Sequence, residues 1–228
     1  MNLVSQLIES ATSRVLEKIS LPGESSINSY MQQVADAYGK APSMDRAAVT
    51  HWTALSQHTD KVLYPKIEAQ LKKIYREKNP EFKTNPNGGG FIFEPHHTYK
   101  TAEEMSAEVL NKGVFRVSTA DSEHPVWNLD QNVRFRAVHD WYTHIINKAP
   151  FNARGEIRAY NTYVKLIPPN AVPAAFTEIV GQVSYAIING GFGEQKVCLL
   201  PQFDYVHLGK MNPKFQEQQP APQPEQTS

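Results

Sequence analysis

Residues 132–201 read NVRFRAVHDWYTHIINKAPFNARGEIRAYNTYVKLIPPNAVPAAFTEIVGQVSYAIINGGFGEQKVCLLP, and this stretch decides the fold. Proline and glycine cut it into three helical segments, expected over 132–147, over 155–167, and from 171 or 173 to 189. Pro150 ends the first, Pro168-Pro169 stop the second and Gly190-Gly191 close the third. The first carries Arg136, His139, Asp140 and His144, the second Glu156 and Tyr160, the third Glu178 and Gln182. A buried polar group without a partner costs roughly 2–7 kcal/mol. Polar residues recurring on apolar helices therefore need one another, a metal or a ligand.

Outward from this stretch the chain stays helical. Leu3, Leu7, Val15, Leu16 and Ile19 predict a helix over 3–19 that Pro22-Gly23 stops, and 27–38 predicts a second. Asp45 is placed to cap a long helix reaching about residue 76, with a kink or break at Pro65. From 77 to 100 the chain turns to loop chemistry around Gly88-Gly89-Gly90, which lack the lysine-serine or lysine-threonine pair of a phosphate loop. Phe91-Ile92-Phe93 and 114–119 predict short strands. Between them Thr101 and Glu104 form a capping box for a helix that Gly113 ends. A short last segment spans 193–200. The expected fold is mainly α: one helical domain over 1–215 with its polar-core helices in 130–200, a minor β element, and a disordered proline- and glutamine-rich tail over 216–228.

Composition narrows the function. The chain has 228 residues, enough for one well-packed core. Lysine plus arginine equals aspartate plus glutamate at 23 each, a balance that speaks against a dedicated nucleic-acid binder. The single cysteine, Cys198, excludes an intramolecular disulfide and a thiolate zinc cluster, and its apolar setting makes it a core residue. The opening MNLVSQLIESATSRVLEKI lacks the features of a signal peptide, and no stretch approaches the apolar length of a membrane span. A soluble, reducing compartment is the expectation.

On an α-helix, at about 100° per residue, Asp140 and His144 share a face, whereas His139 and His144 lie about 140° apart and grip one metal poorly. The expected first shell is His144 with Asp140, or the pair His139-Asp140, joined by Glu156 and Glu178. Asp140, His144, Glu156 and Glu178 are thus the candidate ligands of a divalent metal ion, and oxygen-rich sets with an imidazole suit manganese, iron, magnesium or zinc. His139, Asp140 and Glu178 are the candidate catalytic groups, and Arg136, Gln182 and Lys196 the candidate ligand-binding ones. Arg136 is also one turn before Asp140, placed for an ion pair, and buried ion pairs that only fix helix packing are the competing reading. His96 and His97 are expected exposed, His124 at the surface, and His51 and His58 solvated. Trp52, Trp127 and Trp141 are expected core anchors, and Asn132 a helix cap.

The order N-x-R-F-R-A-V-H-D-x-x-x-H, then F-x-x-x-G-E, then T-E-x-x-G-Q, then E-Q-K-x-x-L-L-P resembles a group of proteins encoded by bacteriophages and mobile elements, over about 38–201. The likeness supplies context and no chemistry; carried over by motif, it points to the residues above together with Gln195. Tyr142-Thr143 stand where that pattern implies a small residue such as glycine, a departure that would narrow the site or tilt its helix. The His139-Asp140 doublet is also similar to the HD phosphohydrolases, for which His96 or His124 and Asp204 would complete the set. The expectation is a phage-encoded metal-dependent hydrolase acting on a small molecule, in the host cytoplasm or the virion. The alternative is a non-catalytic virion or host-interaction protein that meets a phage or host protein and whose buried polar residues are structural.

Overall fold

Ile27, Met31, Val34 and Tyr38 recur at helical spacing and all are buried, which sets the inner face of α1, Glu24–Lys40. The computed structural model describes residues 24–80, 90–97 and 99–212. The helix expected at 3–19 and the tail from Gln216 lie outside them. Val49–His58, a π-helical turn Thr59–Leu63 and Tyr64–Lys78 run on as one long helix, α2, burying Trp52, Leu55, Leu63, Ile67, Leu71 and Ile74. Asp45 does not cap it; its carboxylate accepts from the Ala47 N–H in the turn before. Pro65 does not split it, because it stands in the first turn after the π segment, where its missing donor is tolerated.

Two parallel strands, β1 (Phe91–Glu94) and β2 (Phe115–Ser118), pair in register Phe91 with Phe115 and Glu94 with Ser118. Helix α3, Ala102–Lys112, crosses between them. The Thr101 hydroxyl accepts from the Glu104 N–H at 3.2 Å, while the Glu104 carboxylate reaches the Lys100 N–H instead of that of Thr101. Gly113 ends the helix at φ 67°, a left-handed conformation that favours glycine.

The three helices of the polar stretch follow. Leu129–Asp140 continues into a π turn, Trp141–Ile146, as α4. Its cap is Asn128, in a reciprocal capping box with Gln131, and Asn132, expected to cap, is buried and donates its amide to the Ser122 carbonyl. Helix α5, Ala153–Tyr163, starts from the Asn152 side chain, which accepts from the Gly155 N–H. Val172–Ala175, a π turn Phe176–Gly181 and Gln182–Asn189 make α6. The segment expected at 193–200 contributes one parallel bridge, Val197 with Met44. The fold is mainly α with a minor β element, as expected.

Helix α6 packs along α1 and its first turn against α2, while the π turn of α4 wedges between α3 and α5. Trp52, Trp141, Tyr160, Tyr163 and Phe176 are fully buried at the centre, and Cys198 is 1% exposed, the expected core residue. Contrary to the expectation from sequence, Pro169–Asn189 is long and apolar enough to cross a membrane; 56% of its most apolar window is buried inside the fold, the pattern of a core helix. His51 and His58 are not free in solvent either. They bond the carbonyls of Asn170 and Leu166, and so hold α2 to the connection between α5 and α6.

Gly155 controls where α5 begins, since a Cβ there would lie 1.7 Å from the Pro150 carbonyl oxygen. The substitution Gly155→Ala is expected to destabilise by about 1–3 kcal/mol or more, the usual range for overpacking. A urea denaturation midpoint within error of the parent would contradict this packing.

Candidate metal centre

The last turn of α4 departs from α-helical pitch, and that departure assembles the site. A π turn closes i→i+5 hydrogen bonds, so residues five apart come into line. His139 and His144, expected about 140° apart from α-helical pitch, instead meet edge to face with ring centroids 5.1 Å apart. Glu156, in the first turn of α5, faces both. One ligand atom from each of His139, His144 and Glu156 lies within 4.8 Å of the others, and the group could hold a metal ion.

Both imidazoles present the same nitrogen to the carboxylate. His144 Nδ1 lies 2.7 Å from the Ala149 carbonyl oxygen, and His139 Nδ1 lies 3.2 Å from the Asp140 carboxylate. Those partners can only accept, so each Nδ1 carries the hydrogen and each Nε2 is left to bind. His144 Nε2 is 3.7 Å and His139 Nε2 is 3.9 Å from the Glu156 oxygens, beyond hydrogen-bond reach. His139 Nε2 and Glu156 Oε2 are buried without a hydrogen-bond partner. Ligand atoms around one tetrahedral zinc sit roughly 3.3 Å apart, from bonds of about 2.0–2.1 Å; the two imidazole–carboxylate separations are about half an ångström wider, and the three ligand atoms lie within 4.8 Å of one another.

Burial is the largest influence on the ionisation of all three groups. Burial pushes the Glu156 carboxyl up to about 7, with Asp140 adding to the rise and His139 opposing it. Burial and the neighbouring His139 pull His144 down to about 4, which keeps it neutral and able to ligate. His139 is also desolvated, but its bond to Asp140 and the charge of Glu156 outweigh burial and raise it.

These groups form the floor of a cleft of about 730 Å³ between α4, α5 and α6. Arg136, Asp140, Glu178, Gln182 and Gln195 line it as well; Lys196 and Tyr160 do not. Asp140 stands behind His139 and outside the close group. Arg136 does not pair with Asp140. Its guanidinium donates to the carbonyls of Ser118, Ala120 and Asp121, and burial lowers its pKa. The Lys196 ammonium donates to the Gly39 and Ala41 carbonyls at the end of α1 and lies over the Tyr38 ring. Tyr160 donates to the Tyr205 carbonyl. Asp204 bonds within its own turn, to Val206 and His207, and His96 and His97 are exposed with acidic neighbours.

Glu178 lies outside the close group and has its own partners. Trp52 Nε1–H donates to Glu178 Oε1 at 2.8 Å, and His124 Nε2 lies 3.1 Å from the same oxygen. His124, expected at the surface, has a fully buried side chain that stacks on Trp127 at 4.5 Å. Its Nδ1 accepts from the Val126 and Trp127 N–H groups, so its Nε2 carries the hydrogen and donates to Glu178. Trp52 and His124 lie 126 and 54 residues from Glu178 in sequence, and no local spacing announces either pairing.

No protein-family model matches the chain, and no curated protein or solved structure matches it. Trp52→Phe leaves the buried Glu178 oxygen with a single donor, and we expect a loss of about 1–3 kcal/mol of unfolding free energy. A double-mutant cycle with Glu178→Leu, which removes the acceptor, tests this, and additivity of the two changes would show that the bond contributes nothing.

Proposed function

We propose that the chain is a metal-dependent hydrolase in which His139, His144 and Glu156 hold one divalent ion. The observation that carries the reading is the pair of buried atoms, His139 Nε2 and Glu156 Oε2, that face each other with no partner. Purely structural roles account for Arg136 and Lys196, each of which is hydrogen-bonded within the fold, but leave these two atoms unexplained.

Two imidazoles and one carboxylate are the donor set of catalytic zinc, and three protein ligands leave a position for water. The ion would lower the pKa of that water to roughly 7 and so supply hydroxide near neutral pH. Asp140 behind His139, and the Ala149 carbonyl behind His144, fix the ring orientations in the way that outer-shell partners do. Glu178 borders the same cleft with one oxygen tied to Trp52 and His124, and it would serve as the general base. The setting of a phage-encoded enzyme in the host cytoplasm or virion rests on the sequence pattern alone.

Calorimetric titration of chelator-treated protein with Zn²⁺ and Mn²⁺ tests the centre. One equivalent is expected to bind, His144→Ala is expected to abolish binding, and Asp140→Asn to weaken it by about 10–100-fold, as for other outer-shell changes. The bound ion should also raise the melting temperature by mass action, since it binds only the folded chain. Absence of stoichiometric binding, or binding unaffected by His144→Ala, overturns the proposal.

A further inference from the structure

The residues of α6 that line the cleft form a single stripe. Val183, Ala186 and Ile187 stand at i, i+3 and i+4 on one face of Gln182–Asn189, and Ile179, in the π turn before them, lines the same cavity. The stripe is graded along its length: Ile179 is 2% exposed and Ile187 is 45% exposed. It leads from the buried side of the cleft to solvent, with the polar floor of His139, His144 and Glu156 in the same cavity. Two further large apolar side chains line that cavity in the open, Phe151, edge-on to the His144 ring at 4.6 Å, and Phe192 beyond the end of α6. A cavity with convergent polar groups and apolar walls of this size holds a small molecule rather than a macromolecule.

Resting on the metal-hydrolase reading, we infer that the substrate is an acyl compound, an ester or amide whose carbonyl meets the polar floor while a medium-length alkyl chain lies along the Ile179–Ile187 stripe. Water adds to the carbonyl carbon, the bond to the leaving oxygen or nitrogen breaks, and the proton taken from the water passes to that leaving atom. The products are a carboxylic acid and an alcohol or amine. With the chain on the acyl side, the apolar track selects for its length, because each methylene withdrawn from water favours binding and a short acyl group cannot reach the exposed end. The polar residues on α6 fit this division: Gln182 borders the cavity, while Ser184 is turned fully into the core.

The test compares octanohydroxamic acid with acetohydroxamic acid, which share a neutral head group that can chelate and differ in chain length. Each is titrated calorimetrically into the full chain, both chelator-treated and loaded with Zn²⁺. The octanoyl compound is expected to bind about tenfold or more tightly than the acetyl compound in both states, as burial of the extra methylenes requires. The double variant Ile187→Ser/Phe192→Ser, at exposed positions, should erase that ratio while leaving Zn²⁺ affinity unchanged. Equal binding of the two compounds, or a ratio that survives the double variant, overturns the inference. A chain-length ratio that is lost in the variant, from a protein that takes up no Zn²⁺, leaves the acyl track standing and sinks the metal reading alone.

Discussion

A carboxylate that meets two imidazole nitrogens at 3.7 and 3.9 Å, with no hydrogen bond to either, is the tension around which the helices are arranged. Each orphaned buried polar group costs roughly 2–7 kcal/mol, against a total stability of about 5–15 kcal/mol for an ordinary domain. Such a cost persists only where something offsets it. A proton on Glu156, whose carboxyl burial pushes up to about 7, offsets part of it near neutrality. A divalent cation would satisfy all three groups at once. The surrounding structure is firm enough to hold the tension: the π turn of α4 is wedged between α3 and α5, and the start of α5 is pinned by the close approach of Gly155 to Pro150.

The second buried carboxylate is treated in the opposite way. Glu178 receives hydrogens from an indole and from an imidazole whose other nitrogen is occupied by two backbone N–H groups. Its supporting residues come from α2 and from the loop before α4. Trp127 Nε1–H in turn donates to the Trp52 carbonyl, which locks that arrangement. One carboxylate thus faces two imidazoles without a hydrogen bond, while the other has one oxygen held by two donors.

The helices themselves are legible in the sequence because their signals are local: Pro150, Pro168-Pro169 and Gly190-Gly191 stop them, and apolar spacing selects their inner faces. That α4, α5 and α6 would share a polar cleft is legible too, from the recurrence of ionisable side chains on apolar helices. Of the group that could hold a metal, His144 and Glu156 are legible as candidate ligands, and the place of His139 beside them is not. Regular α-helical pitch separates His139 from His144, and nothing in the residue pattern marks the change of pitch at Trp141. His124 fails for a different reason. Its burial comes from Trp127 stacking on one side and Glu178 arriving from a distant helix, and a histidine before a proline reads locally as a turn residue.

Thr143, inside the π turn, gains a physical meaning from that change of pitch. A π turn leaves carbonyls short of their α-helical partners, and the Thr143 hydroxyl donates to the His139 carbonyl at 2.6 Å. The Thr143 carbonyl in turn accepts from the Ala149 N–H at 3.0 Å, and the Ala149 carbonyl accepts from His144 Nδ1–H. Thr143 is fully buried, so no water competes for these bonds. One threonine therefore braces the backbone of the first histidine and, through Ala149, the ring of the second. A glycine at this position would supply no hydroxyl and would leave the wider turn to be held by packing alone. Thr143 is thus part of what keeps the two imidazoles facing the same carboxylate.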